Sequence, residues 1–188
     1  MPRLVVFNSV SLDGYFTDRN GDVSWAHKTD NDREWHGFVE DNASHGGVLL
    51  FGRVTYELMV SHWPTPEAMK QDPVVARQMN NLPKVVFSKT LEKVTWNNTR
   101  LVKGHLVEEV QRMKKEPGQD IVIFGSGSII SQLASENLID EYQMVVIPIV
   151  LGDGRTMFEG VEKRLALKLT RTRIFGNGNA FLCYQPAE

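Results

Sequence analysis

Residues 48–55 read VLLFGRVT. Four apolar residues in a row, flanked by Gly46, Gly47 and Gly52, predict a short strand buried on both faces, as in a parallel sheet. A glycine, an arginine and a threonine follow at once. Two further stretches repeat the arrangement: KVVFSKT at 84–90 and IVIFGSGS at 121–128. In a parallel sheet, ligands bind beyond the carboxyl ends of the strands. The residues that close each run are therefore the candidate site.

Working outward, Arg3 to Val10 predicts a first strand, running into turn signals at Asp13-Gly14 and Asn20-Gly21. Asp30 to Ala43 predicts a helix, with Asp30 or Asp32 able to cap it and Trp35, Phe38 and Val39 on one face. Further helices are expected at Thr55 to Val60, closed by Trp63-Pro64, at Pro73 to Met79, at Glu108 to Lys115 and at Ser128 to Glu136. Glu141 to Leu151 predicts a long strand. At the end, Leu165, Leu167 and Leu169 alternate with polar residues. Phe175-Gly-Asn-Gly-Asn179 then leads into Ala180 to Tyr184, a hairpin signal. The fold class is α/β: a mixed sheet, mostly parallel, closed by antiparallel strands, with helices on its faces.

Each strand end offers chemistry for an anion. At Gly52-Arg53-Val54-Thr55, glycine permits close backbone approach, arginine supplies a planar charged fork, and Thr55 brings a hydroxyl to a helix start. A plain strand-to-helix turn with a solvated arginine accounts for the same residues. Ser88-Lys89-Thr90 combines hydroxyls with a cation, or is an ordinary polar loop. At Gly125-Ser126-Gly127-Ser128, small residues leave backbone N–H groups bare at a helix start, suiting a pyrophosphate. A tight turn that needs glycine dihedrals reads the same way. Ile130 stands where the third glycine of the G-x-G-x-x-G fingerprint would be. The conjunction of all three strand ends points to a dinucleotide.

The 188 residues fit one domain spanning 1–188, and a net charge of −2 gives no support to nucleic-acid or membrane-surface binding. The single cysteine, Cys183, rules out an intrachain disulfide and fits a reducing compartment. No signal peptide or long apolar run is evident, so the cytoplasm is the expected location. His27, His36, His45, His62 and His105 lack metal-ligand spacing, and no metal is expected. Ser9 and Ser11 have no paired histidine in a recognised arrangement. Trp25, Trp35 and Trp63 are expected in the core or in a pocket wall.

Ser11-Leu12-Asp13-Gly14, then LLFGRVTYE, VVFSKT, IFGSGSII and PIVLGDGRTMFEG, in that order and spacing, resemble the dihydrofolate-reductase-like proteins. The resemblance is particularly to the group that includes the reductase domain of bifunctional riboflavin-biosynthesis deaminase/reductases, and it covers nearly the whole chain. It implies a central mixed sheet with NADPH across its strand ends and a homodimer joined through the C-terminal strands. It implies hydride transfer to a small, heterocyclic substrate. Gly52, Arg53 and Thr55 match the phosphate-binding helix start, and Ser88 and Lys89 match the loop around the adenosine 2′-phosphate. Gly125, Ser126, Gly127 and Ser128 match the pyrophosphate turn, and Asp13 and Gly14 match the loop beside the nicotinamide. Dihydrofolate reductases carry an acid three places before a tryptophan on the first helix, which Asp32 and Trp35 resemble; helix capping explains Asp32 as well. A proton would come from water, Asp13 or Asp32. Riboflavin-type reductases carry a lysine after the Ser-Leu-Asp-Gly motif and an acid before the glycine turn. Here Tyr15 and Phe124 stand there, which puts a ribityl-phosphate substrate in doubt. Two alternatives remain: 5-amino-6-(5-phosphoribosylamino)uracil reductase, or a nucleotide-binding protein without catalysis.

Overall fold

A computed structural model describes residues 1–27 and 32–187. Eight strands form one sheet: β1 Leu4–Ser11, β2 Val48–Gly52, β3 Lys84–Phe87, β4 Thr99–Val102, β5 Ile121–Phe124, β6 Glu141–Ile147, β7 Leu167–Ile174 and β8 Ala180–Pro186. Their order is β4-β3-β2-β5-β1-β6-β8-β7. The strands from β4 to β6 run parallel, while β8 pairs antiparallel with β6 and with β7. Among the described residues six α-helices accompany them: α1 Arg33–Ser44, α2 Arg53–His62, α3 Pro66–Gln71, α4 Pro73–Asn81, α5 Leu106–Lys115 and α6 Gly127–Ser135. The mostly parallel sheet closed by an antiparallel pair is the one expected.

Side chains alternate across the central strands. Leu49 and Phe51 pack with Tyr56, Val75 and Met79 on one face, under α2 and α4. Leu50, Ile121 and Ile123 pack with Val110, Met113, Ile130 and Leu133 on the other, under α5 and α6. The period of two thus buries both faces. Helix α1 straddles two clusters. Trp35 and Phe38 stack, with ring centroids 5.6 Å apart, over Phe175 and Phe181, while Val39 and Ala43 lean toward α4. Asp30, one of the two expected caps, lies outside the described residues; Asp32 is the cap observed.

Three elements differ from expectation. β6 ends at Ile147 rather than Leu151, because Pro148 has no N–H to extend the ladder. β4 is a short edge strand with no buried residue, so no apolar run marks it. α3 is a short helix opened by Pro66 and capped by the Thr65 hydroxyl, which accepts from the Ala68 amide. Among the described residues, no helix is long and apolar enough to cross a membrane.

Candidate functional site

The carboxyl ends of β1, β2, β3 and β5 open on one side into a cleft of about 620 Å³. Gly52, Arg53 and Thr55 line it, as do Ser88, Gly125, Ser126, Gly127 and Ser128. The three stretches singled out by sequence, far apart in the chain, thus meet in one cavity.

Two helix N-termini face this cavity. Helix α2 begins at Gly52 with no side-chain cap, and α6 begins after Ser126, likewise uncapped. Gly125 and Ser126 both have left-handed backbones, with φ of 61° and 65°. The amides of Ser126, Gly127 and Ser128 have no acceptor among the described residues. Such a nest of free N–H groups, at the positive end of a helix dipole, has the geometry that suits an anion. The two starts are also in contact. A Cβ on Gly52 would stand 2.0 Å from the Ser126 hydroxyl, and one on Gly125 would stand 3.0 Å from the Thr55 hydroxyl. Side chains at 52 or 125 would fill the cradle.

Asn8, a polar residue inside the apolar β1, braces the turn. Its Oδ1 accepts from the Gly125 amide at 3.0 Å, and its Nδ2 donates to the Met157 sulfur. Sequence reasoning missed Asn8, although a buried amide side chain in a strand is itself a signal, since it must find partners. Arg155 was missed as well, and it lines the cleft together with Phe16 and Thr17.

The cations divide. Arg53 lines the cleft but donates to Glu57 at 2.9 Å, one helical turn further on. Lys89 is exposed and lies outside the lining, next to Ser88, whose hydroxyl accepts from the amides of Thr90 and Leu91. Gly14 turns with φ of 88° and is also outside the lining.

The two carboxylates expected near the chemistry are engaged by backbone. The Asp13 carboxylate accepts from the amides of Leu151 and Gly152, at 3.1 and 2.8 Å. Hydrogen bonding from the Ser11 hydroxyl and from these amides holds its carboxyl down at about 2. Asp32 caps α1, with one oxygen accepting from the Trp35 amide at 3.0 Å and the other from Asn177 at 2.8 Å. Those bonds hold its carboxyl below the ordinary range. Neither Asp13 nor Asp32 lines the cleft. The far half of the cavity is walled by Trp35, His36 and Glu40 from α1, by Met59 and Trp63 from the α2 end, and by Asp72. Trp25 instead sits in the core.

The sequence pattern of the RibD C-terminal domain family matches residues 2–181. The uncharacterized protein YyaP of Bacillus subtilis (strain 168) is 30% identical over 182 residues, covering 97% of this chain and 94% of its own. The diaminohydroxyphosphoribosylaminopyrimidine deaminase/5-amino-6-(5-phosphoribosylamino)uracil reductase of Thermotoga maritima superposes with a TM-score of 0.65 at 15% identity, over 99% of this chain and 57% of that one. The dihydrofolate reductase of Enterococcus faecalis, complexed with NADP(H), superposes with a TM-score of 0.59 at 14% identity, over 99% and 97% of the two chains. The fold is therefore dihydrofolate-reductase-like, and the chain belongs to the family of the RibD C-terminal domain.

Proposed function

We propose that this protein is an NADPH-dependent reductase that transfers a hydride to a small heterocyclic substrate. The observation that carries the reading is the meeting of two uncapped helix starts and a left-handed glycine-serine turn at the carboxyl ends of the parallel strands, within one cleft. The dihydrofolate-reductase-like fold and the family support it.

In this reading Gly125, Ser126, Gly127 and Ser128 hold the pyrophosphate. Gly52, Arg53 and Thr55 hold the neighbouring phosphate, and Ser88 and Lys89 take the 2′-phosphate. The nicotinamide supplies the hydride when bound. The protein's own part is to position it against the substrate and to exclude water. Trp35 and Trp63 provide flat apolar walls for a heterocycle, and Glu40 and His36 provide polar groups at its edge. Asp13 and Asp32 are positioning residues: Asp13 ties the Ser11–Gly14 turn to the loop at 151–152, and Asp32 fixes the start of α1. Carboxyls held below their ordinary range are ionised at neutral pH and cannot donate a proton, so the proton comes from water. The chain acts as a homodimer through β7, whose eight residues are all exposed and include Leu167, Leu169 and Ile174.

Fluorescence titration with NADPH and NADH tests cofactor binding, and NADPH oxidation over a panel of pterins, flavin precursors and carbonyl compounds tests turnover. Binding without turnover of any compound would favour a nucleotide-binding protein. Turnover of the aminouracil ribosyl phosphate would assign the riboflavin-pathway step.

A further inference from the structure

Among the described residues, two arginine side chains line the cleft, Arg53 and Arg155. Arg53 is paired with Glu57. Arg155 has no carboxylate within ion-pair distance among the described residues, and its neighbour Asp153 is engaged by Arg19 at 3.3 Å. Among the described residues, Arg155 is thus the cleft-lining arginine left without a carboxylate.

Its backbone is fixed against the opposite loop. The Phe16 amide donates to the Arg155 carbonyl at 2.9 Å, and the Arg155 amide donates to the Thr17 carbonyl at 3.1 Å. Just before it, Gly154 has φ of 158°, and a Cβ there would stand 2.1 Å from the Thr17 carbonyl oxygen. This approach is open only to glycine, so Gly154 allows the two loops to close. Just after it, the Thr156 carbonyl lies 3.5 Å from where a Cβ on Gly127 would be, and the Phe16 ring lies 3.1 Å from the same point. The segment carrying Arg155 is therefore packed onto the glycine turn itself. A fixed backbone sets where the Arg155 side chain begins, beside the glycine turn.

We infer that Arg155 is the cation of the pyrophosphate subsite, closing over a diphosphate laid on the bare amides of Ser126, Gly127 and Ser128. The inference rests on the dinucleotide reading above and assigns a residue that reading does not use. A guanidinium fork suits two phosphate oxygens at once. The diphosphate is common to NADPH and NADH, so Arg155 sets affinity for both and does not discriminate between them.

Arg155→Gln and Arg155→Lys, titrated by fluorescence with NADPH and with NADH, test this. Arg155 is exposed, so both variants should melt where the wild type does. Arg155→Gln should weaken both cofactors by the same factor, roughly tenfold or more. Arg155→Lys should lose less, since it keeps the charge without the fork. Unchanged affinity for both cofactors would overturn the assignment. A loss confined to NADPH would overturn it too, by moving Arg155 to the 2′-phosphate. A wild type that binds neither cofactor would instead sink the dinucleotide reading, and this role of Arg155 with it.

Discussion

Gly127→Val separates the proposed anion site from the scaffold that carries it. Gly127 is the first residue of α6 and does not have a left-handed backbone, so a side chain there meets a packing limit rather than a conformational one. A Cβ would stand 3.1 Å from two ring atoms of Phe16 and 3.5 Å from the Thr156 carbonyl. Alanine needs the Phe16 ring to give by a few tenths of an ångström. Valine adds two methyl groups beyond that point. Overpacking of this kind costs about 1–3 kcal/mol, and removing a helical glycine returns roughly 0.5 kcal/mol. The net loss of about 0.5–2.5 kcal/mol corresponds to a fall in melting temperature of roughly 2–4 °C per kcal/mol for a chain of this size, which leaves the protein folded. Binding should suffer far more. The methyl groups crowd the free amides of residues 126–128, and losing even one charge-assisted hydrogen bond costs about 1.5–3 kcal/mol, a tenfold to hundredfold weaker complex. A circular-dichroism melt and an NADPH fluorescence titration on the same preparation read both quantities. If the folded variant binds NADPH as tightly as wild type, the glycine turn is not the pyrophosphate site.

Lys89→Ala should weaken NADPH binding by roughly tenfold or more while leaving NADH binding nearly unchanged, and it should flatten the salt dependence of NADPH affinity; a wild type that binds both cofactors equally well would refute the assignment of Lys89 to the 2′-phosphate. Asp32→Asn should leave NADPH affinity and turnover unchanged and reduce stability only slightly, since asparagine also caps helices; a large loss of turnover would return Asp32 to the substrate. Because hydrogen bonding lowers the folded-state value of Asp32, its contribution to stability is present above the ordinary value of 3.8 and fades as the pH falls through the lowered one, so the variant should show less of this acid loss. Lys84 is buried and gives all three ammonium protons to the carbonyls of Asn80, Leu82 and Asn97, so Lys84→Met should cost about 3 kcal/mol by denaturant titration. Burial pushes Lys84 down to about 8 from 10.5, so in wild type, and not in the variant, stability should rise with pH across that window, where the unfolded chain holds the extra proton.

The three central strands were legible because each is buried on both faces, and continuous apolar runs bounded by glycine or short polar residues have few other uses. The same logic failed wherever burial was partial. β4 carries Thr99 and Arg100 at the sheet edge and leaves no apolar trace. The apolar run of β6 continues through Ile149, Val150 and Leu151, and only Pro148 marks where pairing stops. The site divides along a similar line. Eight of the ten cofactor-binding candidates line one cleft, because each belongs to a short motif fixed by its own strand end. What the motifs could not show is which charged groups are already satisfied. Asp13 finds its amides 138 and 139 residues away, and Asp32 finds Asn177 at 145; no local pattern encodes such partners. The pairing of Arg53 with Glu57 was readable, since residues four apart share a helix face, but its bearing on the cleft depends on Arg155, whose access follows from the closure of the 154–156 loop on Phe16 and Thr17. An anion site is defined by donors left unpaired as much as by donors present. Residue types and spacing locate the donors, and long-range closure of the chain decides which of them remain free to bind.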